Sequence, residues 1–309
     1  MPRPRLILDC DPGHDDAIAI LMAAKHGELL AITAVSGNAP LRLTAHNALI
    51  TTQILGLDTP VYAGAERPLV APPRHAEFIH GKSGLGGPIL PPLTRQLAGH
   101  DAVRFIIEAG RRYDDLWVVA TGPLTNIALA LRQAPDLAAR LRGIAIMGGS
   151  TSFGNVTSHA EFNIWADPEA AAIVFASGAT LLLCGLNLTH QFMISPDTVA
   201  QLRALGGVAA TFTAELLDFY CAKYAEKFFG KVEGPLHDPC AVMLVTHPEL
   251  FTCHDRPVAV ELTGQLTRGM TVVDERGVKA MEPNNTSVAY GLDAPAALEL
   301  LLETVQLYA

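Results

Sequence analysis

Short apolar runs alternate with amphipathic stretches through the first two-thirds of the chain, and the two periods predict different elements. The runs Arg5–Leu8, Ala31–Val35, Leu116–Ala120, Ile144–Met147 and Thr180–Cys184 carry apolar side chains at successive positions, as strands covered on both faces do. Between them, apolar positions recur at helical spacing over Asp15–Lys25, Leu41–Leu55, Ala102–Arg112, Leu124–Arg132 and Pro168–Ala176. His26-Gly27 gives the first of these helices a basic last turn and a glycine stop.

Repeated strand and helix in this order predict an α/β protein with a mainly parallel, Rossmann-like central sheet flanked by helices. Near the C-terminus, Val258–Leu262, Met270–Val273 and Ser287–Tyr290 read as short antiparallel strands, followed by a closing helix over Ala294–Leu307. The stretch Ala63–His100 is rich in Pro and Gly, has no sustained period, and is expected to be a long surface excursion of the functional or disordered kind. With no repeat, low-complexity tract or linker in view, residues 1–309 are expected to form a single domain.

Charge narrows the partners. The 22 basic residues are outnumbered by 31 acidic ones and form no Lys/Arg-rich run, which argues against nucleic-acid polymers and anionic membranes. Only three apolar residues separate the basic Met1–Arg5 from Asp9, too few for a signal-peptide core. No apolar stretch reaches the roughly 18 residues of a membrane helix, so the expectation is a soluble, cytoplasmic protein. The five cysteines (Cys10, Cys184, Cys221, Cys240 and Cys253) are widely spaced with no C-x-x-C pair, and read as buried reduced thiols.

Against this background one segment stands out. Directly after the first strand, DCDPGHDD places Asp9, Asp11, Asp15 and Asp16 within eight residues, with no Lys or Arg among them. Crowded carboxylates repel, and the cost is relieved by protonation, a paired base or a cation. Pro12-Gly13 turns the chain between strand and helix, bringing Asp11 back toward Asp15 and Asp16. Helix capping accounts for one or two acidic residues at such a place, and four point to a hard cation of the Ca2+ or Mg2+ type.

Other polar clusters fall at equivalent points past strand ends: Ser36-Gly37-Asn38, Thr121-Gly122-Pro123 and Gly148-Gly149-Ser150. In an open parallel sheet that edge binds ligands. Two later segments carry more polar chemistry than a turn needs. These are GNVTSHAEFNIWADPEA (154–170), with Asn155, Glu161 and Asn163 around Phe162, and HDPC, which joins His237 to Asp238 at the expected start of a helix. Such groups suit a polyhydroxylated ligand; a polar loop ahead of a helix capped at Asp167 is the plainer alternative.

Taken in order, DCDPGHDD, SGN, HGKSGLGG, ATGPLTNIA, IMGGS, GNVTSHAEFNIWADPEA and PLHDPCAV resemble the inosine–uridine nucleoside hydrolase family from about residue 5 to the C-terminus, most like its bacterial pyrimidine-preferring ribonucleoside hydrolases. The acidic signature together with the late His-Asp pair is the specific part, since GPLTN or IMGG alone is weak. The resemblance implies one bound Ca2+ per subunit, a small-molecule nucleoside substrate and a homodimer or homotetramer.

Carried over by position, Asp11, Asp16, Asp238 and the backbone carbonyl of Thr121 resemble the metal ligands, the side chain of Thr121 mattering little. Asp15 and Asn38 resemble ribose contacts, with Asp15 toward the 2′-hydroxyl, and Met147, Asn155, Glu161, Phe162 and Asn163 surround the ribose and its 5′-hydroxyl. Asp9 is expected to support and not to ligate. His80 and His237 match histidines on the base side, while no role follows for His14.

The implied chemistry is hydrolysis of the N-glycosidic bond by a Ca2+-activated water, with Asp11 as base and a histidine, His237 or His80, assisting the departing base in nucleoside salvage. Uridine and cytidine are the expected substrates, with purine-preferring or broad specificity as the alternative. The segment Tyr220–Phe229 is expected to be a helix over the base, with Tyr220, Tyr224, Phe228 and Phe229 able to stack there or simply to fill the core. Two other readings compete. One is a Mg2+-dependent Asp-x-Asp phosphohydrolase with Asp9 as nucleophile, although Pro12-Gly13-His14 stands where a small hydroxyl residue is wanted; the other is a non-catalytic Ca2+-dependent sugar or nucleoside binder.

Overall fold

The computed structural model describes residues 3–276 and 283–308. Its central sheet is built from β1 (Arg5–Cys10), β2 (Glu28–Ala34), β3 (Val61–Ala63), β4 (Leu116–Ala120), β5 (Gly143–Met147) and β6 (Leu181–Cys184), followed by Thr286–Leu292 and Phe251–Arg256 at the far edge. The order is β3-β2-β1-β4-β5-β6, then Thr286–Leu292, then Phe251–Arg256. Each neighbouring pair is parallel up to Thr286–Leu292, and only the Phe251–Arg256 edge runs antiparallel.

Successive side chains of a strand point to opposite faces, so an unbroken apolar run feeds two cores. In β1, Leu6, Leu8 and Cys10 enter one core while Ile7 enters the other. The same division holds in β5, where Ala145 and Met147 face one way and Ile144 and Ile146 the other. Helices His14–His26, Asp238–Thr246 and Ala294–Gln306 cover the first face; Ala102–Arg112, Thr125–Gln133 and Pro168–Phe175 cover the second. At ~1.5–3 kcal/mol for each fully buried large aliphatic side chain, these two layers are the main source of stability.

The expected elements form at nearly the expected limits, with Leu116–Ala120 and Ala102–Arg112 matching to the residue. Three features differ. Ser287–Tyr290 belongs to a longer strand that joins the main sheet, antiparallel to Phe251–Arg256 as expected but parallel to β6 on its other side, while Val258–Val260 and Thr271–Val273 pair antiparallel outside that sheet. The edge strand Phe251–Arg256 (FTCHDR) was missed because its half-exposed positions are polar. The helix expected at Tyr220–Phe229 is the end of Gly207–Tyr224, continued by a π-helical turn over Ala225–Phe229. Among the described residues no helix is long and apolar enough to cross a membrane. Cys10, Cys184, Cys221 and Cys240 are buried free thiols, and Cys253 is partly buried.

Strand order reverses at β1: β2 and β3 lie on one side, β4 to β6 on the other. Crevices of this kind open beyond the carboxyl ends of the strands where the order switches. Asp9 is level with Ala120 of β4 and Thr33 of β2, and the Thr121 N–H donates to the Asp9 carbonyl at 2.8 Å. The acidic loop and Thr121 therefore leave the sheet together at the switch point.

Candidate active site

A cavity of about 500 Å³, counting its open mouth, sits over this edge. Asp15, Asn38, His80, Thr121, Met147, Asn155, Glu161, Phe162, Asn163, His237 and Asp238 all line it, drawn from segments more than 200 residues apart. Asp11 and Asp16, both fully buried, lie beneath. Part of the Ala63–His100 excursion forms one wall, through Ala76, Phe78, Ile79 and His80, the last three in the one-turn helix Glu77–His80.

Asp15, Asp16 and Asp238 bring carboxylate oxygens within 4.8 Å of one another. Helix Asp238–Thr246 packs against helix His14–His26, which explains how residue 238 reaches residues 15 and 16. Both helices begin at the cluster, and their positive N-terminal dipole ends offset some of the repulsion. Donors do more. Asp16 accepts from Gly13 N (2.9 Å), Asn38 Nδ2 (3.2 Å) and Thr121 Oγ1 (2.8 Å), and Asp11 Oδ2 accepts from Asn38 N (2.6 Å).

Asp11 Oδ1 is buried without a hydrogen-bond partner. A Cβ at Gly37 would fall 2.0 Å from Asp11 Oδ2, and one at Gly122 would fall 2.6 Å from Oδ1, so these two glycines allow the backbone to close on the carboxylate. Burial first, then the neighbouring carboxylates, raises the pKa of Asp11, Asp238 and Asp15, the last to about 8; burial also raises Asp16. A divalent cation fits this donor set. It would neutralise the acidic group and satisfy the orphaned Asp11 oxygen with hard oxygen ligands.

The hydroxyl of Thr121 adds a role beyond its carbonyl, which accepts from Asn163 Nδ2 at 2.8 Å. Thr121→Val removes the donor that holds Asp16 and is expected to weaken divalent-cation binding about 10- to 100-fold by calorimetric titration, whereas Thr121→Ser should bind as the wild type does. Equal affinity in the valine variant would show that the hydroxyl does not orient Asp16.

Asp9 does something different. Its Oδ1 accepts from Thr33 Oγ1 (2.5 Å) and Asn126 Nδ2 (2.8 Å), so it ties β1 to β2 and to helix Thr125–Gln133. A fully buried carboxylate in that position is no phosphoryl nucleophile. Burial raises it to about 7 against the two hydrogen bonds, so the folded protein favours the protonated form. That contribution to stability is complete below about pH 4 and disappears as pH rises through about 7. In chelator, Asp9→Asn should therefore lose less stability than wild type between pH 4 and 8, by on the order of 3 kcal/mol in urea unfolding. Parallel pH profiles for the two proteins would contradict this placement of Asp9.

The ribose-side candidates are braced by one another. Glu161 caps helix Phe162–Ala166, accepting from Asn163 N and Ile164 N, and also takes Gly149 N at 2.9 Å; burial still lifts it to about 7. Asn155 Oδ1 accepts from Phe162 N (3.0 Å), and Asn163 Nδ2 also reaches Met147 O (3.1 Å).

His237 Nδ1 meets Thr189 Oγ1 at 2.7 Å and its Nε2 meets the Tyr224 hydroxyl at 2.8 Å, while burial pushes its pKa down to about 3. Tyr220, Tyr224 and Phe228 also line the cavity, and the Phe229 side chain lies outside the described residues. Sequence reading missed Thr33, Asn126 and Thr189. Asn126 lies inside ATGPLTNIA, so a signal for it existed; Thr33 is an ordinary threonine in an apolar run, and Thr189 stands in an undistinguished LNLTHQ segment.

A profile of the inosine-uridine preferring nucleoside hydrolases matches residues 6–299. The pyrimidine-specific ribonucleoside hydrolase RihA of Shewanella sp. (strain ANA-3) is 43% identical over 100% of this chain and 98% of its own. RihB of Shigella flexneri, also pyrimidine-specific, is 41% identical over 100% of this chain and 99% of its own. Among solved structures, a purine-preferring ribonucleoside hydrolase from Gardnerella vaginalis superposes with a TM-score of 0.92 at 35% identity, covering 98% of each chain.

Proposed function

The chain belongs to the inosine-uridine preferring nucleoside hydrolase family, and on that premise we propose that its acidic cavity hydrolyses pyrimidine ribonucleosides such as uridine and cytidine to free base and ribose, with Ca2+ as the resident cation. The observation that carries the reading is the convergence of Asp15, Asn38, Glu161, Asn163 and Asp238 on one cavity above Asp11 and Asp16. Membership of a hydrolase family and the burial of Asp9 speak against the non-catalytic binder and the phosphohydrolase.

Asp11, Asp16, Asp238 and the Thr121 carbonyl would hold the cation. When bound, it supplies the positive charge that grips a vicinal diol and makes a water acidic. Asp11, fully buried, offers Oδ1, which has no hydrogen-bond partner, as the acceptor for the proton of the attacking water. Asp15 hydrogen-bonds the ribose 2′-hydroxyl, with Asn38 beside it, and the buried carboxylates favour the positive charge that develops on the sugar ring. Met147, Asn155, Glu161, Phe162 and Asn163 enclose the 5′ end. His237 and His80 stand on the side of the departing base, His237 acting through the Tyr224 hydroxyl it contacts. A homodimeric or homotetrameric assembly and a role in nucleoside salvage belong to the same proposal and rest on the family resemblance.

Relatives named pyrimidine-specific support the base preference, and the purine-preferring structural neighbour supplies the alternative. Ribose release from uridine, cytidine, inosine, adenosine and 2′-deoxyuridine, each with and without chelator, tests it. Uridine and cytidine should lead, 2′-deoxyuridine should fall at least ~10³-fold because Asp15 is left unpaired, and chelator should stop all turnover. Faster cleavage of inosine would transfer the preference to purines.

A further inference from the structure

His14 lies in the middle of the acidic loop, and nothing in the hydrolytic reading uses it. Its ring is fully buried, stacks on that of Phe219 and lies nearly parallel to that of His80, edge to edge, with centroids 5.2 Å apart in each pair. Two polar contacts fix its chemistry. His14 Nε2 lies 2.8 Å from the Gly86 carbonyl, and His14 Nδ1 lies 3.0 Å from His80 Nδ1.

A carbonyl oxygen only accepts, so His14 Nε2 carries a proton. A neutral imidazole has a single N–H, which leaves His14 Nδ1 as a lone pair directed at His80. Two lone pairs do not approach to 3.0 Å, so the proton between them belongs to His80 Nδ1. His80 has then spent its one N–H, and its Nε2 is a bare acceptor. Because His80 lines the cavity and its Nδ1 is turned to His14, Nε2 is the ring nitrogen that a ligand meets.

One contact competes. The backbone N–H of His14 also approaches His80 Nδ1, at 3.3 Å. Satisfying it would require protons on both nitrogens of His14, and hence an imidazolium buried between two rings, which desolvation opposes. The shorter side-chain contact prevails.

We propose that His14 is a positioning residue that locks His80 in its Nδ1–H tautomer, so that His80 offers the nucleoside base a hydrogen-bond acceptor and not a proton. The inference rests on the reading of the cavity as a nucleoside site. It selects bases that bring a donor to His80, such as the imide N–H of uracil or the amino group of cytosine, and it leaves proton delivery to the departing base with the His237 and Tyr224 pair. A lone pair fixed by a second histidine is the familiar way in which an outer group sets the tautomer of an inner one.

The test begins with the wild-type, Ca2+-loaded protein labelled with 15N at histidine. Long-range 1H–15N correlation spectra separate the two neutral tautomers, and His80→Gln identifies the His80 signals by their loss. Wild-type His80 should carry its proton on Nδ1, and His14→Phe, which keeps a stacking ring, should release it to the Nε2–H form. In kinetics with uridine, His14→Phe and His14→Gln should lose about 10- to 100-fold in kcat/KM with Ca2+ content unchanged. His14→Asn, whose amide oxygen can stand where Nδ1 stood, should recover most of that loss.

A proton on His80 Nε2 in the wild type overturns the proposal, as does equal activity of the asparagine and glutamine variants, which a purely structural role predicts. Should His14→Phe fail to fold, the wild-type spectrum still decides. Should the wild type release ribose from no nucleoside, the hydrolytic reading falls, while the tautomer spectrum continues to judge His14 separately.

Discussion

Asp11→Ala is expected to lower kcat by at least ~10³-fold, within the range contributed by a positioned base acting in a water-poor site. Its two oxygens meet different surroundings. Oδ2 is fixed by the Asn38 N–H at 2.6 Å, and Oδ1 is buried with no partner, a costly arrangement unless a proton or a cation comes to it. Removing the carboxylate also removes like-charge repulsion with Asp16 and Asp15, the neighbours that help to raise its pKa. The metal-free variant should therefore melt no lower than metal-free wild type, and at saturating Ca2+, which offsets the lost ligand, it should still bind a ribose-like inhibitor. Turnover and inhibitor binding measured on the same folded preparation separate the two effects. A wild-type rate would remove Asp11 as the base.

Asp238→Ala is expected to abolish both tight metal binding and activity. Asp238 comes from the start of a helix more than 200 residues downstream of the acidic loop, yet its carboxylate closes the cluster with Asp15 and Asp16 to within 4.8 Å. Without it the remaining ligands all come from residues 11–16 and Thr121, on one side of the site. The expected loss of Ca2+ affinity is at least about 100-fold, the upper end of what removing a mere supporting group costs. Metal analysis after gel filtration, alongside ribose release, checks this. Stoichiometric metal in the variant would exclude Asp238 as a ligand.

The fold was largely legible because this sheet is buried on both faces, so apolar runs mark its strands and Gly-Asn, Gly-Pro and Gly-Gly turns mark their ends. Strand order was not legible, since no local pattern says that β1 lies between β2 and β4, and the switch point follows from that order. Phe251–Arg256 escaped for the opposite reason: half exposed at the sheet edge, its alternation is too polar to read as a strand.

In the site, the loop residues were visible as carboxylates that no nearby base could neutralise. Asp238 and the histidines could be placed only through the resemblance, because nothing local links residue 238 to residue 15. The sequence presents Tyr224 as a ring able to stack on a base or to fill the core; its hydroxyl contact with His237 depends on how the helix Gly207–Tyr224 meets the start of Asp238–Thr246, which sequence spacing does not encode. His14 looked like punctuation in the motif, and its partners Gly86 and His80 come from an excursion with no periodic pattern at all.

In the proposed site, acidic groups more than 200 residues apart in the chain share one cation at the β1/β4 switch point. The decisive measurement is anomalous diffraction from crystals of active enzyme grown with Ca2+ and a ribose-like inhibitor. One Ca2+ peak is expected, with oxygen ligands at about 2.3–2.6 Å from Asp11, Asp16, Asp238 and the Thr121 carbonyl, and the inhibitor's diol on the same ion. Crystals of active enzyme with no cation among those residues, or with Asp238 turned away from a bound one, would contradict it.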